Sequence, residues 1–332
     1  MRIGSNPFNH HVTRIPARAR ITAAVVTSIP VAAGYFADRL DVLRLSLESL
    51  IRNADLPIDL MVFDNASCRQ VRSVLLALCE SGKIGRLILS SENVGLPGAY
   101  AFIADAAPGE FIAFANDDVL YFPHWLSPLV AIMDGMPDVG LVSGAYLRAT
   151  HPRTAELARE KGLEVIERRA PDLWIEEFCR DASYPSPEAY YSRMERVGWT
   201  DLEDRVIRSP GAEAYAGGVC WQALFRKETL RKMLPRDDAH RPQGFKSYDG
   251  YFHADIVRQG YLRLSATQRV ARHIGNVITP EVAALAASFG LDARSADRPR
   301  NRPRLLMKIP ALRTMIIYAY NHLHRLVHAT SV

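Results

Sequence analysis

The sequence predicts an α/β fold, a mostly parallel central sheet with helices on both faces. Two observations predict it. From Ile21 to Ala115, apolar runs alternate with stretches of helical periodicity in the order strand, helix, strand, helix, strand, helix, strand. Such alternation builds crossover units with parallel strands. Finally, polar residues follow each apolar run: Thr27-Ser28, Asp64-Asn65, Asn93 and Asn116-Asp117-Asp118. Sheets of this kind bind ligands beyond the carboxyl ends of their strands.

The elements follow in order. Ile21 to Ile29 reads as a buried strand, and Phe36 to Arg52 as a helix with Leu40, Leu43, Leu47, Leu50 and Ile51 on one face. Ile58 to Phe63 is a second strand. Arg69 to Glu80 is a helix that turns Val71, Val74, Leu75 and Leu78 inward. After a short strand over Leu87–Ser90, the loop Asn93-Val94-Gly95 opens a helix from about Ala99 to Ala107. The strand Phe111–Ala115 comes next. A helix near Trp125–Met133 leads to a strand at Val139–Ser143. Residues 148–210 are charged and rich in Tyr and Trp, with helical pieces over Thr154–Arg169 and Pro187–Val197, and read as an insertion. Buried character returns at Ala216–Phe225. Helices over Lys227–Met233 and Tyr251–Gln259 and a strand over Leu262–Thr267 complete the pattern. The organisation expected is a polar lead-in at 1–20, a domain over 21–279 and a basic tail over 280–332.

Composition sets the bounds. Of 332 residues, 48% are hydrophobic and 23% charged, enough for a packed core and unlike a disordered chain. The net charge of +5 is concentrated near the C-terminus, at Arg294, Arg298, Arg300, Arg302, Arg304, Lys308 and Arg313. Four scattered cysteines form no C-x-x-C pair, so neither a zinc site nor a disulfide framework is expected. The start of the chain lacks the apolar centre of a secretory signal, and no apolar run has bilayer-spanning length, so a cytoplasmic location is expected. The segment 304–328 places Leu305, Ile309, Leu312 and Ile316 at helical spacing among cations. It fits a helix lying on the anionic inner face of the cell membrane or one packed on its own domain. A nucleic-acid partner is not expected.

The stretch Phe111–Leu120 (FIAFANDDVL) carries the most chemistry. An apolar strand stops at an amide and two adjacent carboxylates, costly neighbours without a cation or donors. Hard oxygen ligands there suit Mg²⁺ or Mn²⁺, ions that bring phosphate oxygens with them; a capped turn is the simpler alternative.

The order VVTSIP, LMVFDNAS, ENVGLPGAYAFIADAA, FIAFANDDV, AYAGGVCWQALFRKETL, SYDGYFHADIVRQGY and VARHIGN resembles family 2 glycosyltransferases of the GT-A fold, over about Ile21 to Asn276. Bacterial members often build polysaccharides, O-antigens or glycolipids. The resemblance implies an inverting hexosyl- or deoxyhexosyltransferase that moves a sugar from a nucleoside-diphosphate donor to a hydroxyl of a glycan or lipid-linked acceptor, with Mn²⁺ or Mg²⁺. It implies Asp118 as direct metal ligand, Asp117 acting through ribose or metal-bound water, and Asn116 where an acid is often found. Asp64 falls where the family places an acid against the nucleoside. Thr27 and Ser28 fall at the base pocket, and Asn93 and Gly95 at a close backbone approach to the donor. Asp249 matches the catalytic base, with Tyr248 and Tyr251 replacing neighbouring acids, and Asp255 is the fallback. His273 matches a late metal-completing histidine, flanked by Arg269 and Arg272 near the diphosphate. Trp221, after Gly217-Gly218, falls by the acceptor pocket. Two other classes stay open: a non-catalytic carbohydrate- or membrane-binding protein, and a nucleotidyltransferase. The latter is disfavoured because Thr27-Ser28-Ile29-Pro30 replaces the Gly-rich, Arg-containing loop it needs.

Overall fold

A computed structural model describes residues 18–147, 153–182, 184–196, 204–234 and 255–293. The chain divides into a unit over Met1–Ser295 and a second over Ala296–Val332, the latter outside the described residues. Asp249 and the basic segment 304–328 therefore also lie outside them.

Strands β1 (Ile21–Thr27), β2 (Ile58–Asn65), β3 (Arg86–Ser90) and β4 (Phe111–Asn116) lie in the order β3-β2-β1-β4, all parallel. Helices α1 (Arg39–Arg52), α2 (Arg69–Glu80) and α3 (Gly95–Ala106) make the crossovers. The pleat sorts the core in two. Ile21, Ala23 and Val25 of β1, with Phe111, Ala113 and Ala115 of β4, pack with Leu43, Leu47 and Leu50 of α1 and Val71 and Leu75 of α2. Ala24, Val26, Ile112 and Phe114 face the other way, onto Tyr100, Ile103 and Ala104 of α3. Burying each of the three α1 leucines contributes about 1.5–3 kcal/mol, which is why the helical spacing in this segment was readable.

Past β4 the chain forms β5 (Val119–Tyr121), α4 (Ser127–Gly135) and β6 (Val139–Ser143). The inserted region follows with α5 (Arg153–Glu160), β7 (Glu164–Glu167), α6 (Asp172–Asp181) and α7 (Pro187–Arg196). Then come β8 (Arg205–Ser209), β9 (Ala212–Ala216), β10 (Gln222–Arg226) and α8 (Lys227–Met233). After helical residues 255–258, β11 (Leu262–Ala266), β12 (Ala271–His273) and α9 (Pro280–Ser288) complete the unit. The sheet continues from β4 as β10-β6-β11-β9-β8-β7, ten strands among the described residues. β10 runs antiparallel to both β4 and β6, while β6 and β11 are parallel.

The inserted region departs from the periodicity reading in one respect. The helix expected to reach Arg169 stops at Glu160. Gly162 turns the chain at φ +75°, and Glu164–Glu167 pairs antiparallel with β8 instead. The insertion thus adds sheet edge as well as helices. Helix α9, assigned from sequence to the tail, packs Val282 and Ala286 on Val42 and Leu45 of α1. α1 is therefore covered on two sides.

Candidate functional site

The acidic tip of β4 is set by its neighbours. The Asn116 N–H donates to the Trp221 carbonyl at 2.8 Å, holding the half-buried Asn116 beside the start of β10. The chain then turns through Asp117 and Asp118 into β5, which leaves the large sheet. Ser46 and Ser49 of α1 accept the N–H groups of Val119 (3.4 Å) and Tyr121 (3.1 Å). β5 pairs antiparallel with β12, bringing His273 opposite Val119, and the Ile274 N–H donates to the Asp118 carbonyl at 2.9 Å. This small sheet puts His273 Nε2 3.4 Å from Asp118 Oδ2.

A residue not singled out from sequence holds the two acids together. The Arg39 guanidinium, buried at the start of α1, donates to Asp117 Oδ1, to Asp118 Oδ2 at 2.9 Å and to the Gly275 carbonyl at 3.3 Å. Gly275 sits at φ +68°, where an added Cβ would come 2.8 Å from the Asp181 carbonyl oxygen, so glycine is required. Thr27 completes the cluster by donating its hydroxyl to Asp117 Oδ2 at 2.6 Å. The signal for Arg39 was present: it lies four residues before Leu43, on the buried stripe of α1, where an arginine needs a partner.

Burial pushes the Asp117 carboxyl above its ordinary range despite Arg39. At Asp118 burial acts the same way, but His273 and then Arg39 outweigh it and hold that carboxyl low. Burial works to discharge His273, and Asp118 overcomes it, so the imidazole titrates above its usual value. Two buried atoms in this pair, Asp118 Oδ1 and His273 Nδ1, have no hydrogen-bond partner. A spare carboxylate oxygen beside an imidazole fits a divalent ion, and imidazole suits Mn²⁺ better than Mg²⁺. Among the described residues no three metal-ligating side chains converge. The protein would thus supply Asp118 and His273, leaving other positions to water and phosphate oxygens, a common division for such ions.

The predicted nucleotide side is assembled as a chain of polar loops. The Ser28 hydroxyl donates to the Asn65 carbonyl at 2.9 Å and lies 3.4 Å from Asn93 Nδ2. Asn65 donates to Asn93 Oδ1 at 2.9 Å and accepts from the Val94 N–H at 2.8 Å. Gly95, at φ +70°, donates its N–H to Asn93 Oδ1 at 2.8 Å and opens α3 four residues earlier than expected. Asp64 is different. Its side chain is fully buried, with Oδ1 accepting the Ser67 N–H at 3.1 Å and Oδ2 accepting Arg72 Nε at 2.8 Å. Here it ties β2 to α2, and it would reach a nucleotide only by giving up these bonds.

Neither flanking arginine points its charge at a diphosphate. Arg272 is bound by Asp181 at 2.7 and 3.1 Å, Glu281 at 3.2 Å and Glu177 at 3.4 Å, and Arg269 pairs with Glu177. These ion pairs fasten α6 of the insertion to β12. The fallback base, Asp255, accepts from Gln259 Nε2 at 2.5 Å.

Comparison with known proteins bears on this geometry. No curated protein matches the chain. Among solved structures, the chain is similar to a mannosyltransferase from Pyrobaculum calidifontis in complex with GDP-mannose and Mn²⁺. Identity is 16%, the TM-score 0.44, and the match covers 78% of this chain and 58% of that one. It is also similar to residues 1–349 of TarS from S. aureus, at 12% identity and TM-score 0.38, over 76% of this chain and 59% of that one. The chain thus spans under two thirds of the length of these proteins. The family model described as glycosyl transferase family 2 matches residues 36–193, from the entry to α1 through the acidic tip of β4 to α7. That stretch, just under half of the chain, includes most of the doubly wound sheet and its Asn116-Asp117-Asp118 end, and over it the chain is similar to glycosyl transferase family 2.

Proposed function

We propose that the protein is an inverting, metal-assisted glycosyltransferase that moves a sugar from a nucleoside-diphosphate donor to a hydroxyl of a glycan or lipid-linked acceptor. The observation that carries this reading is the Asp118–His273 pair, 3.4 Å apart at the tip of the central strand, with one buried carboxylate oxygen unengaged. A divalent ion held there would neutralise charge on the departing diphosphate. The chain's own residues do the rest. Thr27 and Arg39 brace Asp117, and Ser28, Asn65, Asn93 and Gly95 hold the loops that would line the nucleotide. The acceptor oxygen forms its bond to the anomeric carbon as the bond from that carbon to the diphosphate breaks. Asp249 takes the acceptor's proton on the opposite face.

The test is a melting-point screen of UDP-, dTDP- and GDP-sugars with and without Mn²⁺. A ligand that binds the native state raises the midpoint. One donor class should stabilise the protein, and Mn²⁺ should enhance the effect. Asp249→Asn should abolish transfer and keep this donor response. No response to any nucleotide sugar sinks the donor assignment, and full transfer in Asp249→Asn sinks the base.

A further inference from the structure

Successive residues of a strand turn their side chains to opposite faces, and β12 uses this to do two things at once. His273 meets Asp118, while its neighbour Arg272 meets the inserted region. The Arg272 side chain is 2% exposed, so its charge needs partners. Helix α6 supplies most of them. Glu177 and Asp181 stand four residues apart, on one face of that helix. Arg272 donates Nε and Nη2 to the two oxygens of Asp181 at 2.7 and 3.1 Å. Glu177 pairs with Arg269 and lies 3.4 Å from Arg272 Nη1. Glu281 of α9 adds a contact at 3.2 Å and is itself half exposed.

The same helix touches the metal pair in two further ways. The His273 ring stands edge-on to Phe178, with centroids 5.9 Å apart. The Asp181 carbonyl oxygen backs onto Gly275, whose own carbonyl accepts from Arg39, the residue that holds Asp118. One helix of the insertion thus meets the ring of His273, the residue before it and the residue two after it. A two-pronged guanidinium–carboxylate pair fixes angle as well as distance, which packing alone does not. Groups behind a metal ligand act in this way, by setting its orientation. There is also a charge to settle. Arg272 left unpaired, one residue from His273, would oppose a divalent ion at the pair.

We propose that Asp181 is a positioning residue for the divalent ion: by gripping Arg272 it orients His273 toward Asp118 and neutralises the buried cation beside them. The inserted region thereby sets how tightly the ion is held. The inference rests on the metal-assisted reading, since it takes Asp118 and His273 as the protein's ligands.

The test uses the full chain and Mn²⁺ alone. Electron paramagnetic resonance counts the free ion, and its pulsed form reads the nitrogen coupling of His273 to bound Mn²⁺. Asp181→Asn should weaken Mn²⁺ binding about tenfold or more, the scale of losing a partner behind a metal ligand, and should diminish the nitrogen coupling. Glu281→Gln removes a half-exposed partner of the same arginine and should weaken binding about threefold. Melting points in metal-free buffer report folding. A lower melting point in Asp181→Asn, with the parent's Mn²⁺ affinity and nitrogen coupling, means that α6 only stabilises the fold and overturns the inference. Should Asp181→Asn fail to fold, Glu281→Gln decides, and parental Mn²⁺ affinity and nitrogen coupling there overturn it. Bound Mn²⁺ without nitrogen coupling in the parent sinks the Asp118–His273 metal pair itself, and the inference with it.

Discussion

Asp64 and Asp118 stand at the tips of β2 and β4, the two strands that flank β1, yet they are different chemical objects. Asp64 has a fully buried side chain, and both its oxygens are occupied, by the Ser67 N–H and by Arg72. Asp118 crowds Arg39 and His273 onto one oxygen and leaves the other without a hydrogen bond. A polar residue at a strand end is therefore not in itself a ligand site. What counts is acceptor capacity left over once the local structure has taken its share.

The sharpest way to break this contrast is to remove each carboxylate. Asp118→Ala should abolish Mn²⁺ binding and lower transfer by about 100-fold or more, the scale of losing metal-borne charge stabilisation. Asp64→Ala should show itself as lost stability, about 2 kcal/mol for an arginine and an amide left without their acceptor. Electron paramagnetic resonance of Mn²⁺ and denaturant unfolding separate the two. Unchanged unfolding with lost nucleotide binding in Asp64→Ala would put that residue on the nucleotide and erase the contrast.

A third effect is expected at the residue that mediates between the acids. Arg39→Gln leaves two buried carboxylates without their cation and should cost about 3 kcal/mol in metal-free buffer. Millimolar Mn²⁺ should recover part of this loss by binding the native state, raising the variant's melting point more than the parent's. Equal shifts in both proteins would show that the guanidinium and the ion do not share the same carboxylates.

The smallest expected effect belongs to a carboxylate that caps a helix, Asp55, whose other oxygen lies 3.8 Å from His124 Nδ1. Asp55 accepts the Leu126 and Ser127 N–H groups at the start of α4. Burial opposes its ionisation, but the Ser127 bonds outweigh it, so its folded pKa lies below the ordinary value. A depressed pKa gives stability that is complete above the unfolded value, about 3.9, and is lost as pH falls through the folded one. Asp55→Ala should therefore cost about 1 kcal/mol near neutral pH. Its unfolding curve should converge on the parent's below about pH 4. A gap that persists in acid would mean packing, not charge, is at stake.

These particulars show what the sequence could convey. The first four strands and three helices were legible because each apolar face is buried against one layer, which imposes a clean period. The Asp118–His273 pair was reachable only through the family resemblance, since no local pattern links residues so far apart. Arg39 was passed over because it reads as an ordinary helix-start cation, although its place on the apolar stripe of α1 was legible. The commitment of Asp64 was hidden because its partner, Arg72, lies on the following helix and resembles a surface residue. β7 escaped because a four-residue strand at a sheet edge has too little periodicity to outweigh the helix formers before it.

The two-stranded sheet of β5 and β12 also bears on how the protein comes into being. It joins the chain just past the acidic tip to a segment synthesised much later, and the ten-stranded sheet does not include it. A nascent chain that has emerged only through β11 holds every strand of the main sheet, but its Asp118 lacks His273. Pairing across so long a loop is the slow, entropically costly kind of contact. On the metal-assisted reading, the pair proposed to hold the ion thus forms last, after the strands of the main sheet.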